Sequence, residues 1–582
     1  PLWTRLGRML RGLTRRSGRV ADGVSGVVVL AVALSLFSSG VAAQQPAVSK
    51  PDMSVQRVGV AGEISLTLKE AVAMAVENNL DVQIQKSNVA IAQQGIVAAK
   101  GHFDPILRWT PGFVSAITPA ASVLQAPTGK LTDRGLTQNF SLIVPTEKNG
   151  LRFTGSFENQ RNSTSNPFVS LNPNYSSKLR LGITQPLLRF RDLDSSRAEL
   201  LISRKQTDIS VTEYEVRLIA VVSAAQQAYW TLVAARQDVA VRQDALRLAE
   251  EQLARDQRRI DAGNLAPVEL AGTRAELERR RDSYLSSVGA VTEAENQLKV
   301  LISPRRENEI WSKEIVPSDS GSLTTPPTGS LEEAVQLALA QRPEPKLVAM
   351  QVDIVAVNQR LNESLKLPQV DLVGEFALSG LAGKQGPPLT FFSSVDRNLY
   401  DRVTALSQAQ GLDPIIPPSI SIPPLPGDLI GGYGSNLQNL FGGTYRTWQV
   451  GLNVDLNLKN RRAEAGVAQS RLQAQRLQLQ KAQTDQAIQS EVRNALQALD
   501  VARQRIRAAE ASARAAEERL ASETRLFDNG ESTDFLVLTR QNELADSRLR
   551  EVVSRLDLNR ALARLDLALG STLQSFQIRV TP

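Results

Sequence analysis

The sequence predicts a mainly helical chain that also carries a membrane-type β-sheet, the whole built as two copies of one unit. Three observations predict it. Long seven-residue apolar series recur at a fixed shift, short segments between them alternate with a period of two, and no long uninterrupted apolar run follows the first 43 residues.

The N-terminus reads as a processing signal. Arg5, Arg8, Arg11, Arg15, Arg16 and Arg19 precede an apolar run from Val27 to Phe37, which leads to the small residues Val41-Ala42-Ala43. The run is well short of the ~20 residues that span a bilayer, so cleavage after Ala43 and export of the remainder are expected. The chain has 582 residues and a formal charge of +7, from 67 Lys and Arg against 60 Asp and Glu. Residues 1–43 hold six of those bases and one acid, Asp22, leaving 61 against 59 and a net charge of +2. The positive field needed for counterion release is therefore absent, which argues against a nucleic-acid partner. With no Cys, disulfides, thiolate catalysis, thiolate metal sites and an acylated N-terminal Cys are all excluded.

The duplication is explicit. Leu68-Lys69-Glu70-Ala71-Val72 to Ala75 returns as Leu331-Glu332-Glu333-Ala334-Val335 to Ala338, a shift of 263. A strict heptad series, Val211, Leu218, Ala225, Leu232, Val239, Leu246, Leu253 and Ile260, has Val221, Ala228, Ala235 and Ala249 on its adjoining seam. A shift of 267 lands on Val492, Leu499, Ile506, Ala513, Leu520 and Phe527, flanked by Ile488, Ala495, Ala502, Ala509 and Ala516. Each series stops at a turn, Asp261-Ala262-Gly263-Asn264 or Asp528-Asn529-Gly530-Glu531, where glycine can take the left-handed conformation that ends a helix. Return helices follow with heptads of their own, Leu270 to Leu298 and Val537 to Leu565. Each half thus contains a long antiparallel helical hairpin, whose first arm would reach ~100 Å at 1.5 Å per residue.

Between the opening helix and the hairpin, the period changes to two. Val450, Leu452, Val454, Leu456 and Leu458 alternate with polar residues, and 370–378, 105–113 and 178–184 supply further strands. Segments 136–144 and 151–157 flank Glu147-Lys148-Asn149-Gly150 and form an additional hairpin, which the sequence leaves either in the sheet or above it. The insert 379–447, rich in Gly and Pro, suits an external loop. The expected division is a leader over 1–43, an N-terminal extension over 44–65, a first repeat over 66–315, a linker over 316–330, a second repeat over 331–571 and a C-terminal tail over 572–582.

Strands apolar on one face and polar on the other, in an exported chain, fit a closed membrane barrel with a wet lumen. Four strands cannot close a useful pore, so several chains must share one barrel, and the same assembly would set their helices side by side in a second tube. A signal, two copies of strands plus hairpin, the Leu-x-x-Ala-Val-x-x-Ala openings, Thr184-Gln185-Pro186-Leu187-Leu188 leading into a helix, and tips at Gly263 and Gly530 resemble the TolC-like outer membrane factors over nearly the whole chain. That resemblance implies a homotrimer in outer-membrane lipid. Four strands per protomer would form the barrel, and a periplasmic α-helical barrel would continue it and close at the tips. It also implies passive conduction from an inner-membrane pump through a periplasmic adaptor protein, in efflux or type I secretion, with no cofactor and no catalysis.

The resemblance places adaptor contact at Gly263, Asn264, Gly530, Glu531 and Ser532. Some family members carry pore-ringing carboxylates six and nine residues after the second tip glycine. Leu536 and Thr539 occupy those positions, leaving Glu269, Asp528 and Asp534 as candidates for gate or lumen charge. His102, the single His, cannot make a metal site alone, and no triad or phosphate-binding loop points to an enzyme. The competing reading is a periplasmic coiled-coil adaptor, which would normally carry one hairpin where this chain has two.

Overall fold

In the computed structural model the described residues are 59–122, 125–126, 128–263, 266–303, 309–319, 329–386, 394–414 and 424–580. The expected leader and most of the expected linker lie outside them.

Each repeat starts with a capped helix pair. Strand β1 (Gly62–Leu66) leads to α1 (Leu68–Asn78), where the Thr67 hydroxyl accepts from the Glu70 N–H and the Glu70 carboxylate accepts from the Thr67 N–H. Asn79 ends that helix and caps α2 (Leu80–Lys100) by accepting from the Asp81 N–H at 3.0 Å. Four strands follow: β2 (Ile106–Pro119), β3 (Lys130–Pro145), β4 (Arg152–Thr164) and β5 (Leu171–Pro186). The hairpin is α3 (Ser195–Asp261, 67 residues) and α4 (Glu269–Ile302), and β6 (Lys313–Pro317) closes the repeat.

The second copy opens with α5 (Leu331–Gln341), capped by the same box through Ser330 and Glu333, 263 residues after Thr67 and Glu70. It continues with α6 (Pro343–Lys366), β7 (Gln369–Gln385), α7 (Ser394–Ala409), α8 (Tyr433–Phe441), β8 (Arg446–Asp455), α9 (Arg461–Asp528, 68 residues), α10 (Asp534–Leu569) and the short α11 (Thr572–Ser575).

The predicted seams are the packed ones. Leu218, Ala225 and Leu232 of α3 are buried with Leu68, Ala71 and Val72 of α1 and Leu298 and Ile302 of α4. Their counterparts Val492 and Leu499 of α9, Ala334 and Ala338 of α5 and Leu565 of α10 form a second core. Two short strands were not expected. β1 and β6 pair in parallel, Ile64 beside Ile315, and so join the entrance of the first repeat to its exit. At five residues each, they are too short to show a period in the sequence.

The remaining strands form one antiparallel six-stranded sheet in the order β2-β3-β4-β5-β7-β8. The resemblance implied four strands per protomer; the additional hairpin β3–β4 lies within the sheet and makes six. It pairs on both sides in a constant register, Leu142 opposite both Leu107 and Gly155, and Phe140 opposite both Trp109 and Phe157; the β3–β4 ladder lapses only at Gln138 and Asn139, where the Asn159 N–H donates to the Asn139 side chain. One row across the sheet reads Leu107, Leu142, Gly155, Leu181, Phe376 and Trp448. The adjacent row on the other face reads Arg108, Ser141, Ser156, Arg180, Ala377 and Thr447. All six strands therefore keep one apolar and one polar face in phase, and the apolar face is bare, with Leu107 71% and Trp448 77% exposed.

The insert after β7 is more ordered than a loop. β7 runs on to Gln385, and α8 lies across the sheet where the apolar face turns polar. Asn436 donates to the Ser177 hydroxyl at 2.6 Å, Ser177 donates to Asn159, and the Tyr433 hydroxyl donates to Asn159 at 3.0 Å. A Cβ on Gly380 would stand 2.3 Å from the Asn436 carbonyl oxygen, so glycine is what lets the helix approach this closely.

Candidate functional site at the hairpin tips

The two hairpins end side by side, and polar contacts tie the repeats together there. α3 stops at Asp261, and Gly263 takes φ +74° with its N–H on the Ile260 carbonyl at 2.8 Å. α9 stops at Asp528. Gly530 takes φ +81°, and the Glu531 N–H reaches the Leu526 carbonyl at 2.8 Å. The Ser532 hydroxyl donates to Glu523, and Thr533 leads into α10 with Asp534 as its first residue. Asn264 lies outside the described residues, and Glu269 is the first residue of α4.

Among the described residues of the tips, two side-chain contacts cross between repeats. The Arg259 guanidinium sits 4.9 Å from the centre of the Phe527 ring, and the Gln252 amide donates to Asp534. Gln252 is fully buried. Its nitrogen also donates to Asp256 Oδ1 at 2.9 Å, while Arg255 donates to its oxygen at 2.6 Å. The other oxygen of buried Asp256 accepts from the Thr273 hydroxyl of α4 at 2.7 Å. Asp534, a candidate for gate or lumen charge, is the acceptor of a cross-repeat hydrogen bond.

The same device recurs 267 residues on. Glu523 corresponds to Asp256 and Arg540 to Thr273, and Arg540 lies 3.6 Å from Glu523. Arg540 also donates to Glu543 at 2.8 Å; that hydrogen bond and the charge behind it push the guanidinium above its ordinary pKa. In each hairpin a carboxylate on the first arm is held by a donor on the return arm. Sequence reasoning missed this pair, although the signal was present. The adjoining seam Val221, Ala228, Ala235, Ala249 extends by one heptad to Asp256, and Ala509, Ala516 extends to Glu523. An acid on a seam that is mostly apolar, as this one is apart from Arg242, marks a polar contact.

Leu536 and Thr539, at the positions where some relatives carry pore acids, hold no charge; the Thr539 hydroxyl returns to the Phe535 carbonyl. His102 lies far along the chain, just before β2, with Nε2 3.0 Å from Glu199 of α3. Among the described residues no three His, Cys, Asp or Glu side chains gather as a metal site.

A family profile described as outer membrane efflux protein matches residues 150–303 and 419–571. These segments of 154 and 153 residues cover more than half of the 582, one in each repeat. Comparison with curated protein sequences finds no match. Among solved structures, the fold is similar to the CmeC outer membrane channel of Campylobacter jejuni, at 17% identity and TM-score 0.57 over 87% of this chain and 86% of that one. The outer membrane protein VceC of Vibrio cholerae aligns at 14% identity and TM-score 0.56, over 86% and 96% of the two chains. The open state of the MtrE outer membrane channel of Neisseria gonorrhoeae aligns at 15% identity and TM-score 0.53, over 86% and 88%.

Proposed function

Because this chain belongs to the outer membrane efflux protein family, we propose that three copies form one passive conduit, closed at the periplasmic tips and opened there by an adaptor protein. The efflux channel, its place in the outer membrane and its periplasmic helices follow from the family. Trimer, adaptor, pump and gate are our reading. On that reading residues 66–315 and 331–571 are the two repeats, 316–330 joins them, and 1–43 is a removed leader. The apolar sheet face meets lipid, the polar face meets the lumen, and no catalytic step is required.

The observation that carries the gate is the cross-repeat latch between Gln252 and Asp534, seconded by Arg259 on Phe527. Opening the tube requires α10 to move away from α3, and these contacts resist that movement. The MtrE channel has been crystallised in an open state, which supports treating the tip as a two-state element. We assign adaptor contact to Gly263, Gly530, Glu531 and Ser532 and, from its place in the sequence alone, to Asn264, with Glu269 and Asp528 near them along the chain. The adaptor reading of this chain itself is not favoured, because it leaves the two hairpins and the bare apolar sheet face without a role.

Gly530→Val tests the reading. No atom stands within 4 Å of the added Cβ, so the substitution acts only through φ +81°, at a cost on the order of 1–3 kcal/mol. The variant should reach the outer membrane as a trimer and lose export and photocrosslinking from position 532 to the adaptor. Normal export and crosslinking by this variant would refute the assignment of the tips.

A further inference from the structure

Resting on the trimeric reading above, we infer that the membrane barrel of this protein has eighteen strands, six from each copy, closed by pairing β8 of one protomer with β2 of the next.

The two repeats show where the additional strands entered. β2 and β7 begin 263 residues apart, and β5 and β8 run into α3 and α9, whose starts are 266 residues apart. β2 and β5 are therefore the counterparts of β7 and β8. In the second repeat, β7 and β8 pair directly, and the intervening residues carry α8, which lies on the sheet face. In the first repeat, β2 and β5 do not touch, because β3 and β4 stand between them in the sheet. An inserted hairpin preserves the up-down alternation, so the sheet still begins and ends with antiparallel strands.

Three features make β3–β4 part of the wall. Its registers are constant on both sides, Arg152 pairing with Pro145 and with Thr184 and Phe153 with Val144 and Ile183. Its side chains alternate in phase with their neighbours, Phe140, Phe153 and Phe157 on the apolar face and Ser141, Thr154 and Glu158 on the polar one, where Glu158 meets Arg180 of β5 at 3.4 Å. A hairpin standing in water would gain nothing from an apolar face. Its turn is also fastened to the sheet-to-helix junction. Asn149 and Gly150 take φ of +54° and +68°, the Gln185 amide donates to the Asn149 carbonyl at 2.8 Å, and a Cβ on Gly150 would stand 2.8 Å from the Phe190 carbonyl oxygen. The Phe190 carbonyl is in turn held by Arg197, which also donates to the carbonyls of Arg191 and Asp192.

The occupant of the two open edges is a second copy of this chain. In lipid every backbone group must be paired, which leaves a closed barrel as the only arrangement open to this sheet. β2 and β8 run in opposite directions, so the junction continues the antiparallel order. Each junction can pair along the ten residues of β8. With strands ~4.8 Å apart and tilted ~40°, eighteen strands enclose a barrel about 36 Å across the backbone, against about 24 Å for twelve. The exit is then wider than a four-stranded protomer would give, and the tips remain the restriction.

A single-particle map of the full chain in detergent tests this together with cysteine accessibility in whole cells, for which the absence of native Cys gives a clean background. Eighteen wall strands in a trimer are expected. Single cysteines at 154, 156, 158 and 160 should react with a membrane-impermeant maleimide, and those at 153 and 157 should not. A trimer with a twelve-stranded wall, or equal reactivity at both sets of positions, overturns this inference and leaves the proposed function standing. A chain that stays monomeric with its helices intact overturns the trimeric reading itself.

Discussion

Asp534→Ala should open the tip without unfolding the chain. The carboxylate accepts from the Gln252 amide across the boundary between repeats, and Gln252 is fully buried. The Gln252 nitrogen has two hydrogens, one satisfied by Asp256 and the other by Asp534. Removing Asp534 leaves one buried N–H without this acceptor in the closed tip, whereas an opened tip would let water take its place. A hydrogen bond to a charged partner contributes about 1.5–3 kcal/mol, and each 1.4 kcal/mol is tenfold. The closed-to-open ratio should therefore fall by about tenfold to a hundredfold. Loss of acidic charge at the start of α10 weakens that helix by ~0.3–1 kcal/mol in both states and cancels in the ratio. Phe527→Ala, which removes the stacking of Arg259 at 4.9 Å together with the ring's own packing on the α9 seam, should shift it by at least about twofold. Single-channel conductance of the purified protein in planar bilayers reads the open fraction, with a thermal melt as the folding control. An Asp534→Ala protein that melts like wild type and conducts no more than wild type would refute the latch.

Three further outcomes are expected. Leu499→Asp and Leu246→Asp, at sites only 2% and 3% exposed, should each lower stability by at least about 3 kcal/mol; wild-type melting by both would remove the heptads as packing seams. Arg197→Ala releases the carbonyls of Phe190, Arg191 and Asp192 and should cost about 2–4 kcal/mol, read as a lowered melting temperature and increased proteolysis at 146–151. Burial raises the pKa of Glu344, but its hydrogen bonds and the charge of Arg342 outweigh that and set it below the usual 4.5. A folded-state value below the unfolded one gives stability that is present above pH 4.5 and lost as pH falls further. Denaturation midpoints between pH 6 and pH 3 should consequently drop less steeply for Glu344→Gln than for wild type, and parallel curves would contradict the pairing.

Period and repetition were properties of the sequence itself. Apolar residues every 3.5 positions specify a helix with one buried seam whatever the partner is, and alternation specifies a strand with two unlike faces. Both glycine turns were legible because each is fixed by neighbours within a few residues, and the 263- and 267-residue shifts because repetition needs no partner to be seen. What alternation cannot supply is the order of strands. The faces of β3 and β4 were readable, but their insertion between β2 and β5 depends on pairing over distances that leave no local mark. The short strands β1 and β6, 251 residues apart, are the extreme case. The tips divide in the same way. Gly263 and Gly530 were visible because a positive φ demands glycine at that residue alone. The bond from Gln252 to Asp534 appeared only when α10 was laid against α3, and Asp256 and Glu523 acquired their donors only when each return arm was laid against its own first arm. A polar residue on an apolar seam announces that a partner exists, and only the folded chain decides which one.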